Sequence, residues 1–138
     1  MLTSSQRFWT PRLVGPEVGN LVVADPDESM FSMVRQLTAP DEWRVSYAAT
    51  PVDVMRMLRS GGVRLAVIEL AMLDASPALA EDVVSRSRRG LRVIVTTDDH
   101  SEANERRART LGPVFYAPKP LNITLLNHVL QGALRAAV

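Results

Sequence analysis

The stretch Leu65-Ala66-Val67-Ile68-Glu69 places four apolar residues in a row and ends them on a carboxylate. A strand with one face in water alternates apolar and polar side chains, whereas a strand covered on both faces need not. The unbroken run therefore predicts a central strand of a parallel sheet, with Glu69 at its carboxyl end. The same signal recurs in Leu21-Val22-Val23-Ala24, in Leu91 to Thr96 and in Val114 to Ala117, and Trp43 to Ala48 reads as a further strand.

Helical patterns lie between these runs. Asp25-Pro26-Asp27-Glu28 opens the first, because acidic residues and proline both suit a helix N-terminus, and Met30, Phe31, Val34 and Leu37 form its inner face. Thr50-Pro51-Val52-Asp53 starts the second, with Val52, Met55 and Leu58 inward and Gly61-Gly62 at its end. Asp74-Ala75-Ser76-Pro77 starts the third, with Leu79 and Val83 inward and Gly90 closing it. After the loop Asp98 to Ser101 a fourth helix runs to Leu111, laced by Glu102/Arg106 and Glu105/Arg109 at i,i+4. Asn122 caps the last, with Ile123, Leu126, Val129, Leu130 and Ala133 inward. Five strands alternating with five helices require a parallel sheet covered on both sides. The expected fold is a flavodoxin-like, doubly wound (βα)5 three-layer α/β sandwich.

The 138 residues fit one domain, 46% hydrophobic, with a net charge of +1 that gives no strong pull toward nucleic acid or membrane. Without cysteine there is no disulfide, thiol catalysis or Cys-type zinc site, and two histidines leave no His-rich metal site. No apolar stretch is long enough to span a bilayer, and Met1 to Asn20 lacks the order of a secretory signal, so the expected address is cytoplasmic. Residues 1–19 carry two prolines and two glycines and no period, and are expected to be a flexible extension to a domain over 20–138. Phe8 and Trp9 are its bulky apolar residues, suited to covering a nearby groove.

Of sixteen basic residues fifteen are arginine, and the single lysine, Lys119, follows the last strand in a Lys-Pro pair. Genome composition explains why lysine is rare but not where this one stands. Strand ends converge on one edge of such a sheet, which gathers Asp25, Pro26, Asp27, Glu69, Thr97 and Lys119. Glu69 is the candidate partner of Lys119. Carboxylates, a hydroxyl and an ammonium on a shared edge suit phosphoryl transfer with Mg²⁺.

On these residues the chain resembles the receiver domain of bacterial two-component response regulators, over Leu21 to Val138. Val22-Val23-Ala24-Asp25-Pro26-Asp27 is similar to the family's first strand and acidic cluster. Leu65 to Leu70 is similar to the strand bearing the phosphoacceptor, and Val93 to Thr97 to the strand with the switch hydroxyl. Leu111-Gly112 and Tyr116-Ala117-Pro118-Lys119-Pro120 are similar to the region of the switch aromatic and the Lys-Pro pair. The resemblance implies Glu69 as the phosphoacceptor equivalent, Asp25 and Asp27 as the acidic pocket, and Thr97, Tyr116 and Lys119 as the phosphate-sensing equivalents. It further implies a partner face on the fourth helix, fifth strand and fifth helix, for which Arg106, Arg107, Arg109 and Leu125 are the candidates.

Two departures change the expectation. Glutamate stands where the family phosphorylates aspartate, and Pro26 stands where a second adjacent carboxylate is usual. Near-attack geometry tolerates little displacement, so the longer arm disfavours ordinary phosphorylation. The expected protein is a pseudo-receiver: not an enzyme, without a required cofactor, acting in signal transduction by binding a protein. That partner would be a sensor kinase, an output protein or a second copy in a homodimer. A working phosphorelay receiver using the altered acidic pocket, with Asp25, Asp27 and Glu69 as residual Mg²⁺ ligands, stays open as the alternative. Glu69 could also mimic the phosphorylated state by pairing with Lys119, which would draw Thr97 and Tyr116 inward; equally, Asp25 and Asp27 could simply serve the helix N-terminus. A flavodoxin-like cofactor enzyme is set aside, because the acidic loop after the first strand would repel a phosphate. The arginines at 86, 88, 89 and 92 read as a solvated face, and direct nucleic-acid binding is not expected. The chain closes at Val138 just after the last helix, leaving a single-domain regulator and the front of a longer protein as equal readings.

Overall fold

The computed structural model describes residues 19–99, 101–112, 115–119 and 122–137. Of the expected extension over 1–19, residues 1–18, with Phe8 and Trp9, lie outside them and Gly19 is the first residue of a strand; His100, Val114 and Pro120 also lie outside. Five parallel strands run in the order β2-β1-β3-β4-β5: β1 (Gly19–Ala24), β2 (Trp43–Ala48), β3 (Val63–Glu69), β4 (Arg92–Thr97) and β5 (Phe115–Pro118). The helices are α1 (Ser29–Leu37), α2 (Pro51–Arg59), α3 (Leu70–Ala75), α4 (Pro77–Ser87), α5 (Glu102–Arg109) and α6 (Ile123–Ala137). This is the expected flavodoxin-like α/β sandwich.

Alternation along each strand builds two apolar cores, one on each face. Val22, Ala66, Ile68, Val93 and Val95 face α2, α3, α4 and α5, while Leu21, Val23, Leu65, Val67 and Ile94 face α1 and α6. The central strands are buried from Leu65 to Glu69 in β3 and from Val93 to Thr97 in β4, which is why that part of β3 lacks a polar alternation. Helix starts follow local chemistry. The hydroxyls of Thr50, Ser76 and Ser101 accept from the amides of Asp53, Leu79 and Asn104, and the Asn122 side chain accepts from that of Leu125. Gly61 and Gly62 adopt φ of +84° and +80°, reversing the chain between α2 and β3.

Four details differ from the expectation. Asp74 and Ala75 end a short additional helix, α3, that begins directly after Glu69, so α4 starts only at Pro77. Leu70, Met72 and Leu73 are buried by it, and no periodicity can be read over six residues. Val52 is 64% exposed, and Val54 takes the inward position with Leu58. Val54 and Leu58, four residues apart, share the face of α2 that packs on the core, and residue 52 falls outside that face. Ile123 is 49% exposed because α6 turns inward only from Leu126, through Leu130 and Ala133. Helix α5 ends at Arg109, two residues before Leu111.

Candidate functional site

Register brings the candidate residues to one edge. Ala24 lies beside Ile68, Glu69 beside Thr96, and Thr97 beside Pro118, so the carboxyl ends of four strands finish level. The Lys119 amide donates to the Thr97 carbonyl at 2.7 Å, extending the ladder one residue past β5. Asp25 continues the row of Leu21 and Val23, Glu69 that of Leu65 and Val67, and Lys119 that of Phe115 and Ala117. All three rows belong to the face covered by α1 and α6, which is why these side chains converge.

They close an ion triad. Lys119 Nζ donates to Glu69 Oε2 at 2.6 Å and to Asp25 Oδ2 at 2.7 Å. The carboxylates are nearly lost to solvent, Glu69 at 4% and Asp25 at 2% exposure. Asp25 Oδ1 also accepts from the Asp27 amide at 2.8 Å, so both of its oxygens are engaged. Glu69 is the residue before α3 and makes no side-chain cap there, which leaves its carboxylate to the lysine. Burial acts to lower the Lys119 pKa, but the hydrogen bonds and charges of Asp25 and Glu69 outweigh it and hold it above its ordinary value.

Asp27 takes no part in the triad. Its exposed carboxylate accepts from the Ser29 amide at 2.9 Å at the entry to α1, and that bond lowers its pKa. The helix-entry role thus falls to Asp27, and Asp25 is instead a buried ion-pair partner. The sequence reading missed Asp98, whose carboxylate stands 3.9 Å from Lys119 and is 81% exposed. It follows Thr97 at the end of β4, so the same edge rule pointed to it. Thr96 was also missed: its hydroxyl is buried on the Glu69 side of the sheet without a partner among the described residues.

Thr97 and Tyr116 belong to the other face, in the rows of Val93 and Val95 and of the α2–α5 core. Thr97 is buried, at 4% exposure, but makes no hydrogen bond to the triad. Its hydroxyl donates to the Asp99 carbonyl at 3.0 Å and accepts from the Asp99 amide, an arrangement local to the loop. The Tyr116 ring is turned inward, its hydroxyl buried with no partner among the described residues. Burial, followed by the charges of Glu105 and Asp99, raises its pKa.

A cleft of about 410 Å³ opens beside the triad. Asp25, Asp27, Glu69, Asp98 and Lys119 line it together with Met30, Met33 and Ala71. Among the described residues no group of three or more His, Asp or Glu side chains is placed to hold a metal ion. On the candidate partner face Arg109 pairs with Glu105 at 2.6 Å, Arg106 stands 4.0 Å from Glu102, and Leu125 is 52% exposed. Arg107 is tied to Asp74 at the end of α3, a link between α5 and the segment following Glu69. Arg86 pairs with a partly buried Asp82 at 3.0 Å, and Arg89 donates to Ser85 at 3.1 Å on the exposed side. No helix among the described residues is long and apolar enough to cross a membrane.

No protein-family model and no curated protein matches the chain. Solved structures do. The signal receiver domain of an HD domain-containing protein from Pseudomonas fluorescens Pf-5 superimposes with a TM-score of 0.73 at 20% identity, over 88% of this chain and 98% of that one. A response regulator receiver domain protein from Methanospirillum hungatei JF-1 gives 0.69 at 20% identity, over 87% and 97%. A response regulator from Thermotoga maritima gives 0.73 at 17% identity, over 86% and 99%. The chain therefore has the fold of response regulator receiver domains.

Proposed function

We propose that this chain acts in signal transduction as a pseudo-receiver, a regulator that binds a protein partner without being phosphorylated and without catalysing a reaction. The observation that carries the reading is the closed triad of Lys119, Glu69 and Asp25. A carboxylate that accepts a phosphoryl group must offer an oxygen to the donor. Here Glu69 Oε2 holds the ammonium that a phosphoryl group would need.

A Mg²⁺ ion of the kind the fold family implies does not fit these residues. Mg²⁺ needs near-octahedral oxygen ligands. The Pro26 side chain supplies no oxygen, both oxygens of Asp25 are engaged, and an ammonium already bridges the two buried carboxylates. Glu69 is paired and Tyr116 turned inward without any phosphoryl group, which suits a regulator whose binding surface does not wait for one. Partner recognition then falls to the exposed surface of α5, β5 and α6, with Arg106, Arg109 and Leu125 as contacts for a kinase, an output protein or a second copy.

One observation favours a phosphorelay receiver instead: the cleft of about 410 Å³ leads from solvent to Glu69. Intact mass after incubation with acetyl phosphate and Mg²⁺, with Glu69→Asp alongside, separates the readings. No adduct on the wild type is expected. An acid-stable but alkali-labile phosphoryl adduct that vanishes in Glu69→Gln would overturn the pseudo-receiver reading.

A further inference from the structure

A second groove, of about 270 Å³, lies at the opposite end of the sheet, between the end of α1 and the end of α6. Its apolar lining is Leu37, Trp43 and Leu134, and its rim carries Ala39, Glu42 and Arg135. Gln131 Nε2 donates to the Leu37 carbonyl at 3.1 Å and holds the two helical walls together. The groove plays no part in the site at the carboxyl edge.

We propose that the Phe8-Trp9 segment of the same chain docks in this groove. The first argument is where the chain enters. The Gly19 amide donates to the Glu42 carbonyl at 3.0 Å, and the Gly19 backbone lies so close to the Trp43 ring that a Cβ there would come within 2.6 Å of it. Residues 1–18 therefore join the domain at the lip of the groove. The second is reach. Nine residues separate Trp9 from Gly19, and at about 3.3–3.6 Å per residue they reach roughly 30 Å when extended. Gly15-Pro16 is a turn signal placed where the chain would fold back.

The third argument is complementarity. Arg7 and Arg12 flank the two aromatic residues. Asp41 and Glu42 are exposed beside the groove, and neither makes an ion pair among the described residues. An aromatic pair with basic flanks thus meets an apolar floor whose α6 side carries Arg135 and whose other side carries Glu42, with Asp41 next to it. Aromatic burial supplies the attraction and the charges set the direction of entry.

The test uses the full chain labelled with 5-fluorotryptophan. It contains two tryptophans, Trp9 and Trp43, so Trp9→Phe assigns the two ¹⁹F resonances. Docking predicts a Trp9 resonance shifted from that of a free 1–18 peptide and several-fold less sensitive to a soluble paramagnetic quencher. Ala39→Arg, at an exposed rim position, and Glu42→Arg are expected to return it to the peptide value while circular dichroism and melting temperature show the domain folded. A Trp9 resonance coincident with the free peptide, or unmoved by both variants, overturns the proposal. So does protection that disappears on dilution, which would assign the groove to the segment of a second copy.

Discussion

Lys119 and Arg109 each meet a glutamate at 2.6 Å, yet the two contacts are different objects. Arg109 and Glu105 are neighbours one turn apart on α5, with side chains 66% and 42% exposed. Water solvates both ions whether or not they touch, and such pairs contribute about 0.3–0.5 kcal/mol. Lys119 and Glu69 lie fifty positions apart in the chain and are brought together by the sheet, with Glu69 5% and Lys119 19% exposed. There the ions have lost most of their water and depend on one another. Equal distances therefore say little; burial and connectivity decide what an ion pair does.

The largest effect is expected for Lys119→Met. Removing the cation leaves Asp25 and Glu69 buried and facing each other, and urea denaturation should show a loss of about 3–5 kcal/mol. A loss as small as that for Arg109→Ala would mean the triad is solvated, and the contrast would collapse. Glu69→Gln keeps an acceptor for Lys119 but removes one charge, so a smaller loss of about 1–3 kcal/mol is expected in the same assay.

The triad also predicts a pH dependence. The folded pKa of Lys119 is raised, so its stabilisation is complete below the ordinary lysine value of 10.5 and is lost as pH rises through the higher folded value. Unfolding midpoints should therefore fall above that pH in the wild type and not in Lys119→Met, beyond the decline both share from other groups. The smallest effect is Arg109→Ala, about 0.3–0.5 kcal/mol and erased by added salt. A salt-insensitive loss above 1 kcal/mol would show that α5 relies on that pair more than its exposure allows.

What could be read beforehand divides along the same line. The i,i+4 pairs on α5 and the caps at Thr50 and Asn122 were legible because local chemistry determines them. The edge residues were legible because strands of a parallel sheet end together. That Asp25 joins the triad while Asp27 serves the helix was not, since both precede α1 and only the row each occupies separates them. Thr97 was assigned to the same constellation as Glu69, but it belongs to the opposite face and is satisfied by Asp99. Helix α3 was hidden by its length, and the exposure of Val52 by a helical phase that only packing on the core sets.

The alternation of strands and helices, the parallel sheet that follows from apolar strands, and the departures at Glu69 and Pro26 are written in composition and period, which act over a few neighbouring residues. Long-range packing had to settle that Lys119 bridges Glu69 and Asp25, that Thr97 and Tyr116 stand across the sheet from them, and that Gly19 enters beside a groove between α1 and α6. Those outcomes depend on register and on which face each strand end presents, and both are set by how the whole sheet packs against its two helical layers.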